Sequence, residues 1–543
     1  MFTRGDVLAA LADVPVGDPG AEQPLLVGAE RLEELADSFL ASARVVRLRP
    51  AKERTRLRGL GNEPLYSTRA MLGVQQRIVE RYRRGLHAGV ARVPAEVLDH
   101  AVASHHLAGE QAALVRALCA SGHRLQCAVG RAGTGKTTAM RAAAAAWAGA
   151  GFRVLGAAVK GEAARQLGRA AAIPAETLAW YLARQDPAGG PLDARTVLIV
   201  DEASTIGDVD LDRLLHLAQA AGAAVRLVGD PAQHGAVAAG GMFRVLCERH
   251  PRLTPELTEN RRLLHAGDLA AVEALRDGRI EDGLAELETA GHLHLAADDA
   301  ALYARLLARW WESRQRGAPH PLVERSNHRR CQLNRLARKL RQAHGEIGDD
   351  ELVASGRRAF AVGDEVIARR GSRSLHPNGH PDAYLRNGAR GTVTGLERAR
   401  GSEPDRLVID FDELGSIEVP RPFFDDHPGP KGRIDAGIDH AYAVTSYAVQ
   451  GATFEESTGR VDERTSRAET YVDLTRGREA NHLFVTRAED VLDGERLPKA
   501  PEPPLDVSLS IRLRVSAAEV TAWELDPDAL ARTGPSRRGP TLA

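Results

Sequence analysis

Cysteine is scarce. The four present, Cys119, Cys127, Cys247 and Cys331, form no CxxC pair. That spacing argues against the usual zinc-finger, iron–sulfur and disulfide frameworks. A reducing, cytoplasmic setting is therefore expected. Long apolar runs are missing too. No window approaches the roughly 18 uninterrupted apolar residues of a membrane span. The Ala-rich run Arg141–Ala150 is far shorter and reads as a buried helix. The amino terminus, MFTRGDVLAALADV, has no apolar core followed by a small-residue cleavage site, so no secretory leader is expected. Net charge is also absent. Lys plus Arg number 72 and Asp plus Glu 73, which leaves a formal charge of −1. That balance neither favours nor excludes a nucleic-acid partner, because a groove can be basic in a neutral chain. Arginine outnumbers lysine and alanine is abundant, a bias that fits a GC-rich coding sequence better than any function.

What is present is length and alternating pattern. The chain has 543 residues, and domains usually hold about 100–200, so three or four units are expected. Its 43% hydrophobic and 27% charged residues suit an ordinary globular protein. Residues 1–95 read as helical, with Ala29–Ala41 and Ala70–Tyr82 each keeping apolar residues on one face. Over 96–290 the pattern turns to helices alternating with short apolar strands: Leu125–Val129, Arg153–Val159, Thr196–Val200 and Ala224–Val228. Strands separated by helices imply a parallel sheet covered on both faces, an α/β fold. A second helix-and-strand domain is expected over 291–355 and 430–495. It includes the Trp310-Trp311 helix, the basic helix Arg329–His344, and strands at Ala441–Thr445 and Leu483–Val485. Between its halves, 356–429 holds DEVIARR, RGTVTGL, RLVIDF and SIEV, short strands broken by Gly and Asn. They read as a small inserted antiparallel β-barrel. The stretch 496–543 is Pro-rich, and part of it is expected to be disordered.

The chemistry starts at Gly130-Arg131-Ala132-Gly133-Thr134-Gly135-Lys136-Thr137. This G-x-x-x-x-G-K-T run follows an apolar strand and precedes a helix, the context a phosphate-binding loop requires. Gly130, Gly133 and Gly135 let backbone N–H groups, including those of Thr134 and Thr138, curl around phosphates at a helix N-terminus. Lys136 then reaches the β- and γ-phosphates of ATP, and Thr137 ligates Mg²⁺. Downstream, VLIV runs into Asp201-Glu202 at the carboxyl end of a strand, where open α/β sheets bind ligands. Asp201 can hold Mg²⁺ through water, and Glu202 can polarise the attacking water. A third strand ends in GDPAQ, and its Gln233 can contact the γ-phosphate and that water.

The succession GRAGTGKTT, VDEAS, GDPAQ, LTENRR, AYAVTSYAVQG and YVDLTRGRE resembles the superfamily 1 DNA helicases. Within them it is similar to the RecD-like group, above all to the helicase part of TraI/TrwC-type conjugative relaxases. The resemblance runs from roughly Ser67 to Val485. It implies two RecA-like P-loop domains that clamp ATP between them and move along single-stranded DNA, 5′-to-3′. It also implies roles for particular residues. Gln111, in LAGEQAALVRAL, would read adenine. Arg262 would be an arginine finger of the first domain, with Arg261 as the neighbouring alternative, and Arg476 the finger of the second. Lys160, Ser326, Asn327, Thr445, Ser446 and Gln450 would contact the DNA strand, with Asn334 in the adjoining helix. Two departures stand out. Asp473 replaces a small residue just before Leu-Thr-Arg, where its charge would damp Arg476. The nuclease domain of a relaxase, with its catalytic Tyr and three-His metal cluster, has no counterpart here, so a separate relaxase or another conjugation or repair protein is the partner implied. Two other readings stay open. One is an ssDNA-binding ATPase accessory without unwinding activity, and the other is a non-helicase P-loop ATPase.

Overall fold

The computed structural model describes residues 1–12, 28–49, 63–107, 109–184, 190–355, 358–380, 383–399, 404–412, 414–428, 434–462, 465–486 and 520–532. Its first sheet has six strands in the order Ala175–Thr177, Arg153–Ala158, Thr196–Val200, Ala224–Gly229, Leu125–Gly130 and Glu256–Leu257. All pairings are parallel. Side chains alternate across a strand, so the TVLIV run feeds two cores. Val197 and Ile199 join one with Trp147 and the alanines of helix Lys136–Gly149. Leu198 and Val200 join the other with helices Arg69–Gly85 and Asp208–Ala221. The amino-terminal region is thus not a separate body, because helix Arg69–Gly85 closes one face of the first sheet. That helix starts on the Thr68 hydroxyl, which accepts the Met71 N–H at 3.1 Å. Buried Gln75 donates to Asp208 at 2.7 Å and accepts the Trp523 N–H at 2.9 Å. Part of the Pro-rich tail therefore returns to this core. Residues 520–532 include two short helices, with Trp523 and Ala529 buried in it. The rest of the tail lies outside the described residues.

The second sheet has five parallel strands in the order Ala443–Val444, Leu322–Val323, Phe454–Val461, Gly477–Thr486 and Leu293–Ala296. Helices Asp299–Gln315 and Asn327–Ala343 pack on it, with Trp310 buried. Asn334 completes the edge strand by a two-way bond to Ala443, donating at 3.0 Å and accepting at 2.8 Å.

Between the halves of this domain lies an antiparallel five-stranded sheet ordered Gly415–Pro420, Arg406–Phe411, Arg390–Glu397, Glu365–Ala368 and Ile438–His440. Its outer strands do not pair with each other among the described residues, so closure into the expected barrel is not seen there. Its last strand lies beyond residue 429, because Ile438–His440 pairs with Glu365–Ala368 before the chain re-enters the parallel sheet. Among the described residues no helix is long and apolar enough to cross a membrane.

Strand Phe454–Val461 is the centre of the second sheet and is buried through charge pairing. Arg460 is 3% exposed and donates to Glu324 at 3.2 Å and to Asp299 at 2.6 Å. Breaking a buried pair strands the remaining charge, at a cost of roughly 3–5 kcal/mol. Arg460→Met is expected to destabilise the second domain by about 3 kcal/mol, read as a lower urea midpoint by circular dichroism.

Candidate nucleotide-binding cleft

The first sheet ends in three loops that converge on one point. The loop after Leu125–Gly130 is the glycine-rich run, with Gly133 and Gly135 at φ +78° and +77°. A side chain at Gly133 would meet the Arg262 Cβ at 2.7 Å, and one at Gly135 the Gln111 Nε2 at 2.3 Å. The loop is held on its neighbours. Thr134 is buried and donates to the Arg131 carbonyl at 2.9 Å. Asn260 donates to the Ala132 carbonyl at 2.9 Å, and the Arg261 N–H to the Gly133 carbonyl at 2.8 Å. Glu110 accepts the backbone N–H groups of Thr258 and Glu259 at 2.6 and 3.0 Å. Helix Gly109–Ala120 is thereby tied to the LTENRR segment.

Lys136, at the start of helix Lys136–Gly149, points into the cleft. Its Nζ lies 2.7 Å from Asp201 and 4.0 Å from Glu202. Burial pulls its pKa down, but the two carboxylates outweigh it and the net shift is upward. Lys136 is therefore charged at any physiological pH. Glu202 sits at φ +52°, a backbone state few non-glycine residues adopt and one that marks functional turns. Asp201 accepts the Glu202 N–H at 2.8 Å. Thr137 and Thr138 are exposed to the cleft. A carboxylate, a hydroxyl and an ammonium at a helix N-terminus form a donor set suited to Mg²⁺ and a polyphosphate.

The cleft has a volume of about 850 Å³ and is lined from both domains. Gln111, Gln233, Arg261 and Arg262 come from the first, and Gly451, Thr453 and Arg476 from the second. Gln111 accepts from Arg261 at 3.1 Å and donates to the Gly135 carbonyl at 3.2 Å. Arg262 turns the other way and donates to the Thr475 carbonyl at 3.0 Å. Arg476 is 2% exposed, held by the Val472 carbonyl at 2.8 Å and the Thr475 hydroxyl at 2.6 Å. Burial, reinforced by the nearby Arg262, lowers its pKa to about 10. Asp473 does not supply the damping charge expected of it. It is fully enclosed, and burial pushes its carboxyl up to about 8, so it is mostly neutral at pH 7.

Further contacts join the domains around this point. Gln450 donates to Glu202 at 2.9 Å. Lys160 stands over the Tyr447 ring, 3.2 Å from its centroid, and donates to the Tyr447 carbonyl and to Gln450. Burial lowers the Lys160 pKa to about 8. Ser446 is buried and meets His234 Nε2 at 2.8 Å, while burial takes His234 down to about 4. Asp230 accepts the Tyr471 hydroxyl at 2.8 Å. The structure thus gathers Lys160, Ser446 and Gln450 at the domain boundary, with Thr445 at the foot of the same short helix. Ser326 and Asn327 lie elsewhere, at the start of helix Asn327–Ala343, where Ser326 is the cap and Asn327 accepts from Arg330 at 3.4 Å. Tyr447, His234 and Tyr471 were not singled out from the sequence, although Tyr447 adjoins Ser446, His234 adjoins Gln233, and Tyr471 lies in the YVDLTRGRE run.

Residues 106–298 match a family described as an AAA domain. The chain is 28% identical over 489 residues to a probable conjugal transfer protein TraA of Sinorhizobium fredii, covering 88% of this chain and 40% of that protein. It is 28% identical over 424 residues to the conjugal transfer protein TraA of Rhizobium radiobacter, covering 77% and 36%. A shorter stretch of 216 residues is 30% identical to the multifunctional conjugation protein TraI of Escherichia coli, covering 36% and 11%. The chain spans 40% or less of the length of these curated relatives. Among solved structures, the Pif1 helicase of Candida albicans gives a TM-score of 0.46 at 16% identity, over 70% of this chain and 95% of that one. A Bacteroides Pif1 bound to ssDNA gives 0.44 at 17%, over 70% and 92%.

Two outcomes are expected. Gly135→Ala adds a methyl group where φ is positive and Gln111 is in the way. A left-handed residue costs roughly 1–2 kcal/mol, so ADP binding should weaken about tenfold or more in a fluorescent-nucleotide titration. Asp473 binds its proton more tightly folded than unfolded. Its contribution to stability is thus intact below pH 4 and lost as pH rises toward 8. Asp473→Asn should stabilise the protein by on the order of 2–4 kcal/mol at pH 7 and hardly at all at pH 4, checked by urea melts at both pH values.

Proposed function

We propose that this chain, a relative of the TraA conjugal transfer proteins, is an ATP-driven DNA helicase of the superfamily 1 type, moving 5′-to-3′ on single-stranded DNA. The observation that carries the reading is the bond from Gln450 of the second domain to Glu202 of the first. A residue expected to sense the DNA strand is thereby in direct contact with the residue expected to activate water.

The roles follow from position. Lys136 leaves Asp201 to grip the β- and γ-phosphates. Thr137 and Asp201 are the residues that would hold Mg²⁺, which when bound neutralises charge on the phosphates. Gln111 and Arg261 lie together at one end of the cleft, as an adenine-reading pair. Glu202 orients and deprotonates the attacking water, with Gln233 beside it. Arg262 and Arg476 stabilise the charge that develops on the γ-phosphate, and Arg262 is preferred to Arg261 because it faces the second domain. Always charged and planar, guanidinium groups suit that task. Closure over ATP strengthens the cross-domain contacts and release loosens them, so the second domain steps relative to the first. Ser446, Thr445, Gln450, Lys160, Ser326 and Asn327 would hold the strand by polar contacts that carry little sequence information. Conjugal DNA transfer is the proposed setting, with a relaxase as partner and the cytoplasm as location.

ATP hydrolysis measured with and without ssDNA, together with strand displacement on a 5′-tailed duplex, tests this. Stimulated turnover and ATP-dependent displacement are expected, and Lys136→Ala should reduce both by about 100-fold or more. Hydrolysis indifferent to ssDNA would point to an ordinary P-loop ATPase. Stimulation without displacement would point to an accessory protein.

A further inference from the structure

Away from the nucleotide cleft, three ligand-bearing side chains meet: His265, Asp268 and His292, with ligand atoms all within 4.8 Å of one another. They come from two places in the chain, one helix start and the residue before a strand. His265 caps helix Ala266–Arg276, its Nδ1 accepting the Asp268 N–H at 3.3 Å. Asp268 is in the first turn, and His292 immediately precedes strand Leu293–Ala296. The Asp268 Oδ1 lies 2.5 Å from His292 Nδ1 and 3.9 Å from His265 Nδ1.

The carboxylate is set in place from behind. Asp268 is 1% exposed, and its other oxygen accepts the Asn481 backbone N–H at 2.8 Å and side-chain N–H at 3.0 Å. One oxygen is therefore fixed by second-layer bonds while the other faces two imidazoles, the arrangement metal sites use to orient a ligand. His265 leaves 43% of its side chain exposed, which opens a path from solvent. Behind His292 stands His482, their rings 4.6 Å apart. His482 bonds His294 at 3.0 Å, and its Nε2 is buried without a partner among the described residues.

We propose that His265, Asp268 and His292 form a binding site for a borderline divalent cation of the Zn²⁺ class, separate from the Mg²⁺ of the nucleotide cleft. Two imidazoles and a carboxylate supply three ligands and leave a fourth position for water. Nitrogen ligands select against Mg²⁺ and Ca²⁺, which take oxygen. Binding requires the His292 proton to sit on Nε2, so that Nδ1 offers its lone pair where it now donates to Asp268. The ion would have a structural consequence. Asn481 also accepts the Gly477 N–H at 2.8 Å and donates to the Gly477 carbonyl at 3.1 Å, one residue from Arg476. The Leu264 N–H donates to the Arg478 carbonyl at 2.8 Å. An ion here ties the segment that follows Arg262 to the strand that follows Arg476. The site itself does not depend on the motor reading.

The test is a Zn²⁺ titration of the metal-stripped full chain, without nucleotide, in competition with a chromophoric chelator. One tightly bound equivalent is expected. His265→Asn keeps a good helix cap, and His292→Gln keeps an N–H for Asp268. Each should weaken Zn²⁺ binding by about tenfold or more, while His376→Asn, on an exposed histidine elsewhere, should change nothing. Co²⁺ added to the wild type provides a readout independent of any variant. Visible bands of a nitrogen–oxygen site are expected. Zn²⁺ affinity unaltered in both variants, a sulfur charge-transfer band, or no bound equivalent would each overturn the proposal.

Discussion

Lys136 is a cation with little water around it, held in place by the carboxylates at the end of strand Thr196–Val200. The 2.7 Å contact with Asp201 and the 4.0 Å approach of Glu202 offset its desolvation. Lys136 would be costly there alone, and the two carboxylates keep it charged. A polyphosphate with its metal would meet the same requirement, bringing negative charge for Lys136 and positive charge for Asp201. Nucleotide entry would thus be an exchange of partners within one cluster. The strained Glu202 backbone and the closely packed Gly133 and Gly135 hold that cluster in register.

The second domain enters this economy of charge at its edge. Gln450 supplies a hydrogen bond to Glu202, Tyr471 one to Asp230, and Thr475 accepts one from Arg262. Arg276 adds a cation 3.6 Å from Asp230. These are polar bonds beside an apolar cluster that packs Ala132 and Leu263 with Tyr471 and Leu474, and the strength of the polar bonds depends on what charge occupies the cleft. Under the proposed function, that dependence would let nucleotide state move one domain against the other. Lys160, stacked on Tyr447 and bonded to Gln450, connects the segment expected to meet DNA with the same set. Phosphate oxygens offered to Lys160 would compete directly with Gln450.

Much of this was legible from residues alone where apolar pattern and function coincide. TVLIV-Asp201-Glu202 announced a buried strand with two carboxylates at its end, and the glycine loop announced its own conformation. The strand Phe454–Val461 escaped notice because Glu456, Ser457, Thr458 and Arg460 face the interior. Their burial is made tolerable by Arg309, Ser313, His320, Glu324 and Asp299, all distant in sequence. The charge of Asp473 was likewise misjudged, since its enclosure is a tertiary fact. The histidine cluster was invisible for the same reason, its members being separated by chain and joined by a helix cap and a strand. The insertion showed its strands by alternation, but pairing with Ile438–His440 is long-range and no local pattern reports it.

The central claim is that Gln450 couples the strand-binding face to Glu202. The most direct measurement is the ratio of ATP hydrolysis rates with and without ssDNA, in the wild type and in Gln450→Ala. Wild-type hydrolysis should rise with ssDNA, and in Gln450→Ala the ratio should fall close to one while nucleotide binding persists. A ratio undiminished in Gln450→Ala would contradict the account.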